Sequence, residues 1–439
     1  MTKTLPVIKT LPVPKTLPVT KHSISDESAL DESIPDESVS DESVPDESVC
    51  VYIHWPFCTH ICPYCDFNVY GARPIDPMIW LAAYQKEIAH AAKLRAQSPL
   101  REPMQRPSKE SVKSIFFGGG TPSLMPPQLI ASLIDSIDKQ WGLASTAEIS
   151  LEANPNDISP AKLKELRGAG ITRLSFGVQS LNDKILQFLG RTHTAAQAVK
   201  AFTEAQNVFD VTSHDLIYAC PDQSLADWQE DLKQALALQP AHLSAYQLTI
   251  EKRTHFYRLY QKGKLMPLDE AQQVAFYQTT YEMCQQAGLR QYEIANYARP
   301  QKHCRHNYAI WQGADYIGLG PGAHGRITYW DAKNKQISRY ATLGERKPSA
   351  WLAAVEAKGH GLAECEILDR AALRDEILLM GLRLNKGLAR ARLAALDMQI
   401  DESQWHNLVE EGFLHNDPTR LIATPKGRLV LDSVIAALV

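Results

Sequence analysis

Residues 52–68 read Y-I-H-W-P-F-C-T-H-I-C-P-Y-C-D-F-N, and this stretch decides the fold. Cys58, Cys62 and Cys65 stand in C-x3-C-x2-C spacing after an apolar run at 51–53. Thiolates are soft ligands that suit iron–sulfur clusters and zinc. Three cysteines this close can bind three irons of one [4Fe–4S] cube. The fourth iron would then be open to a small molecule, much as a catalytic zinc keeps one open position. A structural zinc needs a fourth protein ligand. Asp66, Phe67 and Asn68 follow where a fourth cysteine would stand, and His60 is the near substitute. A zinc knuckle and buried structural cysteines are the alternatives, and the strand expected before the loop favours the cluster.

Outward from the loop, strand and helix patterns alternate. Residues 51–54 read as a strand, 77–94 as a helix, and 95–112, rich in Pro, Lys and Arg, as a loop. A second strand over 114–117 runs into Gly118-Gly119-Gly120-Thr121-Pro122, with a helix near 127–139. Further strands are expected over 148–152, 171–177, 211–218 and 242–248, with helices near 161–168, 183–189, 194–208 and 225–238. Such alternation predicts an α/β fold, a parallel sheet with outer helices. Six units predict an incomplete parallel (β/α)6 barrel with its chemistry at the strand C-termini. The cysteines follow strand one, the glycines follow strand two, Glu152 closes strand three and Gln179 follows strand four.

A helix over 269–287 and a strand over 292–297 come next. The expected organisation is a barrel over 49–290, a barrel extension over 291–350 and a C-terminal helical, winged-helix-like domain over 351–439. In that last part 362–384 read as largely helical, 389–396 and 404–411 as helices, 413–424 as a hairpin and 426–438 as a final helix. Asp401, Glu402, Glu410 and Glu411 argue against a DNA-reading face there.

The first 48 residues are low-complexity: Lys-Thr-Leu-Pro-Val starts at Lys3, Lys9 and Lys15, and Asp-Glu-Ser recurs from Asp26 to Asp46. Neither block can bury enough apolar surface to offset its ordering entropy, so disorder is expected. At 439 residues and 44% hydrophobic content, the remainder can build a sizeable core. A net charge of −4 gives no electrostatic case for nucleic acid as the main partner. Of the eight cysteines three are bunched and five scattered, which is no disulfide framework and suits a reducing cytoplasm. No run of 18 apolar residues predicts a spanning helix, and no apolar stretch after Lys3 predicts a secretory signal.

Residues 52–68, with F-F-G-G-G-T-P, S-L-E-A-N-P, S-F-G-V-Q-S and H-D-L-I-Y further on, resemble the radical S-adenosylmethionine (SAM) superfamily from about residue 51 to the C-terminus. The flanks Y-I-H-W-P-F and C-P-Y-C-D-F-N are similar to the branch that holds oxygen-independent coproporphyrinogen III dehydrogenases and HemW-type heme chaperones. The resemblance implies a [4Fe–4S] cluster on Cys58, Cys62 and Cys65 whose open iron chelates SAM. It implies SAM contacts from Tyr52, Gly119, Gly120, Thr121 and Glu152. Glycines at a strand end let backbone approach a ligand closely, which fits that role. Gln179, Arg191 and Asp215 match a second SAM site of the dehydrogenases, and Tyr64 packs on SAM or shields the cluster.

Two features divide the branch. The dehydrogenases carry a further cysteine two residues after the third, where this chain has Phe67. The chaperones share H-N-x-x-Y-W, a motif linked to heme; here it is His306-Asn307-Tyr308-Ala309-Ile310-Trp311, with Ile310 in place of the tyrosine. Imidazole is a normal axial ligand of heme iron, so His306 is the heme candidate. Otherwise His306 and Asn307 cap a loop while Trp311 fills the core. The glycine-dense stretch 318–325 resembles a loop lying against the SAM site, and its His324 is a second heme candidate. The resemblance thus implies a cytoplasmic heme chaperone holding cluster, SAM and heme, with heme-accepting proteins, respiratory membrane-associated ones included, as partners. The other reading is a dehydrogenase that decarboxylates coproporphyrinogen propionates.

Overall fold

Val49–Trp55 is buried at six of its seven positions, the pattern of a strand covered on both faces. This strand, β1, pairs in parallel with β2 (Val112–Gly119), and the ladder continues in chain order through β3 (Leu143–Ala153), β4 (Arg173–Gln179), β5 (Val211–Tyr218) and β6 (His242–Gln247). Parallel neighbours need long crossovers. Helices supply them: α1 (Pro77–Ala96), α2 (Pro127–Trp141), α3 (Pro160–Gly168), α4 (Asp183–Phe188), α5 (Ala195–Gln206) and α6 (Leu225–Ala237). Then come α7 (His255–Gln261) and α8 (Glu270–Gln286). Thr194, Ser224 and Asp269 start α5, α6 and α8 with reciprocal capping boxes. The core forms where Val51, Ile115, Leu151 and Phe176 meet Leu133, Leu163, Phe202 and Trp228. The expected incomplete α/β barrel is present.

This computed structural model describes residues 49–96, 112–331 and 336–439. The expected disorder of 1–48, and all but the ends of the loop expected over 95–112, lie outside the described residues. The expected strand over 292–297 is two short strands, β7 (Arg290–Gln291) and β8 (Asn296–Ala298). They are divided by a turn in which Tyr292 N donates to Asn296 O and Ala295 N to the Glu293 carboxylate. Beyond α9 (Arg305–Trp311) the sheet grows on the far side of β1. There β9 (Asp315–Leu319) lies parallel to β1, followed by the antiparallel β10 (His324–Asp331), β11 (Gln336–Gly344) and β12 (Leu362–Ile367). Among the described residues the sheet has twelve strands, in the order β12-β11-β10-β9-β1-β2-β3-β4-β5-β6-β8-β7.

The helix expected over 362–384 is therefore corrected: 362–367 is the edge strand β12, and only Arg370–Arg383 is helical. Asp369 caps that helix by accepting from Ala372 N, which fixes its start. The hairpin over 413–424 is reduced to one bridge, Leu414 to Ala423, because Arg420–Leu421 pairs with Leu388–Ala389 instead. The last helix breaks at Val430 into Pro425–Leu429 and Leu431–Leu438. A second core cluster, around Leu378, Leu382, Leu421 and Leu438, holds these C-terminal elements together.

The extension is clamped by buried charges. Arg95 on α1 reaches Asp315 at 3.0 Å, Arg339 on β11 reaches Asp315 at 3.5 Å and Glu376 at 3.3 Å, and Arg326 on β10 reaches Glu376 at 2.7 Å. Arg339 also donates to the carbonyls of Gly313 and Ala314, just beyond α9. Removing one partner of a buried pair leaves an uncompensated charge, at a cost of about 3–5 kcal/mol. Glu376→Ala is expected to lower unfolding free energy by about that amount in a denaturant titration; a change within about 0.5 kcal/mol, the range of an ordinary surface substitution, would mean the clamp carries no stability.

Candidate cluster and cofactor site

The site begins where β1 and β2 end. Gly119 has φ +109°, and a Cβ there would lie 2.5 Å from the His54 ring. A Cβ on Gly120 would lie 2.6 Å from the Phe57 carbonyl oxygen. With no side chains in the way, Gly120 N donates to Trp55 O at 2.6 Å and Thr121 N to Phe57 O at 2.8 Å. The glycine turn is thus bonded along the chain leading into Cys58. The loop is closed at its other end by His54, whose Nε2 lies 2.9 Å from Asn68 O and whose Nδ1 lies 3.1 Å from the Tyr52 hydroxyl. Burial lowers the His54 pKa to about 4, so the ring is neutral at pH 7. Nε2–H then donates to the carbonyl and Nδ1 accepts from Tyr52. The 318–325 stretch, expected to lie against the SAM site, rests on the end of this loop: Asn68 Nδ2 donates to Pro321 O at 2.9 Å. His324 is part of β10, opposite Leu343.

Cys58 is buried, while Cys62 and Cys65 are partly exposed. The loop between them packs on the turn after α4: a Cβ on Gly190, at φ +66°, would lie 2.6 Å from Pro63 Cδ. Phe256 N at the start of α7 donates to Pro63 O. Tyr64 packs against the Phe256 ring, 6.3 Å between centroids, and burial pushes its phenol pKa up. Arg191 Nη1 lies 3.3 Å from Cys62 Sγ. Its other terminal nitrogen donates to Gly177 O at 2.8 Å and Asn154 Oδ1 at 2.5 Å, and Asn154 donates on to Thr121 Oγ1 at 3.1 Å. A polar chain therefore runs from the glycine turn to the cysteine loop. Burial raises the Cys58 thiol pKa, against the Thr121 hydrogen bond and the Arg191 charge.

Among the described residues, no group of three or more His, Cys, Asp or Glu side chains could hold a metal ion. The soft, all-sulfur donor set of Cys58, Cys62 and Cys65 fits a cluster.

Behind the loop, a cavity of about 400 Å³ occupies the half-barrel. Tyr52, Glu152 and Asp215 line it, with Phe67, Arg173, Ser175, His242, Ser244, Tyr246 and His306 among the others. Glu152 accepts from Gly119 N at 3.2 Å. Burial, with the Asp215 charge added, raises its pKa to about 8, and the Gly119 N–H and Arg173 only partly oppose this. Asp215 is raised by burial too, although Ser175 and Ser213 donate to it. Burial works against the charge on Arg173, but neighbouring anionic groups outweigh it and its pKa is raised.

Of the residues matched to a second SAM site, Gln179 and Arg191 meet beside Gly177, whereas Asp215 lines the cavity with Glu152. Gln179 holds φ +67° after a break in register with β5, backbone strain of the kind that clusters at functional sites. The sequence reading missed Arg173, Ser175, His242 and Ser244. A signal existed: Arg173 and Ser175, Ser213 and Asp215, and His242, Ser244 and Tyr246 repeat polar residues at period two along β4, β5 and β6.

His306 sits on the cavity floor, 3% exposed. Its Nδ1 lies 2.9 Å from Ser114 Oγ and its ring stacks on Phe116. Burial, with Arg173 adding, lowers its pKa to about 3, so it is neutral.

A parallel half-barrel with a cysteine loop after its first strand and a glycine turn after its second is the arrangement of a radical SAM protein. Residues 52–235 match the profile of the Radical SAM superfamily. The chain is 35% identical over 395 residues to the mitochondrial radical S-adenosyl methionine domain-containing protein 1 of Danio rerio, covering 88% of this chain and 85% of that protein. It is 33% identical over 395 residues to the heme chaperone HemW of Bacillus subtilis strain 168, covering 88% and 98%. The solved coproporphyrinogen III oxidase HemN of Escherichia coli, a radical SAM enzyme, has the same fold: TM-score 0.72 at 22% identity over 90% of this chain and 92% of that one. The chain belongs to the radical SAM superfamily, in the family of the HemW heme chaperones. Among the described residues no helix is long and apolar enough to cross a membrane.

Because Glu152 holds its proton to about pH 8 in the fold, against an ordinary value of 4.5, the folded chain binds more protons than the unfolded one between those limits. Its contribution to stability therefore falls as pH rises through that window. In the cluster-free chain, Glu152→Gln is expected to gain stability over the parent as pH goes from about 5 to about 8, read by thermal melts. A difference independent of pH would contradict a protonated Glu152.

Proposed function

We propose that this chain is a heme chaperone: it holds a [4Fe–4S] cluster on Cys58, Cys62 and Cys65 with SAM at the open iron, binds heme and passes it to acceptor proteins, respiratory ones included. The observation that carries this reading is the charge of the cavity. Glu152, protonated while the cavity is empty, and Asp215 face Arg173, while His242 and His306 are kept neutral by burial. Such walls suit SAM, which carries a cationic ammonium and sulfonium and a single carboxylate. They do not suit coproporphyrinogen, whose four propionates call for several cations. Phe67, half exposed at the cavity wall, stands where the dehydrogenases place a further cysteine.

When bound, a reduced cluster supplies one electron to the SAM sulfonium. The chain's own groups do the holding. Glu152 would hold the SAM ammonium as a carboxylate, its proton lost to solvent. The turn at Gly119, Gly120 and Thr121 lets the ligand approach the backbone. Tyr52 closes the cavity below Glu152, Arg191 offsets charge on the Cys62 thiolate, and Tyr64 shields the cluster side. Gln179 shares the corner at Gly177 with Arg191. The thiolates need a reducing compartment, which we take to be the cytoplasm. The Bacillus subtilis relative is the heme chaperone HemW, and the heme role is carried over from it.

The test is anaerobic reconstitution with iron and sulfide, followed by a heme titration with and without SAM and an assay for protoporphyrinogen. The expected result is one heme per chain and no protoporphyrinogen beside an active dehydrogenase control. Protoporphyrinogen formation would identify a coproporphyrinogen dehydrogenase instead.

A further inference from the structure

We propose that Arg173 makes the lower part of the cavity a carboxylate-binding subsite, apart from the place of SAM. Five arginines are buried among the described residues. Arg95, Arg326, Arg339 and Arg383 each hold a carboxylate in an ion pair. Arg173 is as deeply buried, 2% exposed, and among the described residues it holds none. Its Nε is buried with no hydrogen-bond partner. A guanidinium has five donors and no acceptor, so burying one without an anion is costly.

The carboxylates around it are engaged elsewhere. Glu148 and Asp215 act on Arg173 through their charge, without an ion pair to it. Glu148 accepts from Ser150 Oγ at 3.1 Å, Cys304 Sγ at 3.5 Å and Arg305 N at 3.3 Å. Asp215 accepts from Ser175 Oγ at 2.9 Å and Ser213 Oγ at 3.4 Å. The planar fork of Arg173, which matches a carboxylate through two parallel hydrogen bonds, is thus left to the cavity it lines.

Strand register separates this group from the SAM end. Glu152 stands opposite Ser175, and Arg173 stands two residues earlier, opposite Ser150. Two residues of strand are about 7 Å, so Arg173 starts one inward-facing layer below Glu152. In the reading above SAM chelates the open iron at the upper end, which leaves the lower layer to another molecule. The walls there are Phe116 and Ile310, with the Asn307 amide beside them. One cation, one amide and apolar walls suit a single carboxylate on an apolar body. Two sources share that chemistry: a propionate of heme, entering the cavity that His306 also lines, and a small carboxylic acid. The subsite does not depend on the heme reading. Where heme is the ligand, Arg173 is the group that holds one of its propionates.

The test uses the purified full chain and three probes: ferric heme, its dimethyl ester and sodium benzoate. Soret absorbance follows the first two and calorimetry the third. Wild type is expected to bind heme about tenfold or more tightly than the ester, and Arg173→Gln to bind the two equally. Equal binding of heme and ester by wild type, with benzoate bound by wild type and not by Arg173→Gln, would support the subsite with a small acid as its source. Arg173→Lys, which keeps the charge but loses the fork, should fall between wild type and the glutamine variant, and it carries the comparison if the latter does not fold. Binding of every probe that is alike in wild type and both variants would overturn the subsite and leave the heme reading standing. If wild type binds no heme, the heme reading fails and benzoate decides alone: binding that depends on Arg173 supports the subsite, and its absence overturns it.

Discussion

Everything at the site depends on one close approach of backbone to backbone. The turn after β2 donates Gly120 N to Trp55 O and Thr121 N to Phe57 O, fixing the path of the chain just before Cys58. Side chains at 119 and 120 would bar this approach, since a Cβ on Gly119 or Gly120 would collide with the His54 ring or the Phe57 carbonyl. The cysteine loop is then a span between two fixed points, the glycine turn at its start and the His54–Asn68 bond at its end. Arg191 and Pro63 tie its middle to β4 and to the turn after α4. The same turn orients Glu152 through Gly119 N, so loop and cavity are positioned by one element.

The cavity behind the loop has two ends of different chemistry. At the strand C-termini, Glu152 and Gly119 suit a cationic ligand placed against the cysteines. At the strand N-termini, α9 closes the barrel with His306 and Asn307, and the buried arginines of the extension hold that helix in place. The floor is therefore a fixed wall. Beside it, His242 on the cavity wall is in direct hydrogen-bond contact with Tyr292, 2.9 Å between Nε2 and the hydroxyl.

The barrel was legible because its signals are local. Alternating apolar runs and capped helices mark β1 to β6, and the placement of Cys58, Gly119 and Glu152 at strand ends follows from that register. The strands β9 to β12 were not legible. Gly318 lies in a strand so close to β10 that a Cβ would sit 2.0 Å from His324 O, and in the sequence it reads as part of a loop. In β12, residues 363–367 are all exposed, so the edge strand shows no apolar face to betray it. The roles of Arg191 and His306 were hidden for another reason. Whether an arginine meets a thiolate, or a histidine faces a cavity, depends on contacts across 129 and 192 residues of chain, which no local pattern encodes.

The central claim is that the cysteine loop and the Glu152 cavity form one cofactor site. The most direct measurement is the EPR spectrum of the anaerobically reconstituted, reduced chain before and after SAM is added. If the open iron faces the cavity, SAM changes the cluster signal in the wild type, and Glu152→Gln needs a higher SAM concentration for the same change. A cluster signal that saturating SAM leaves unaltered would contradict the account.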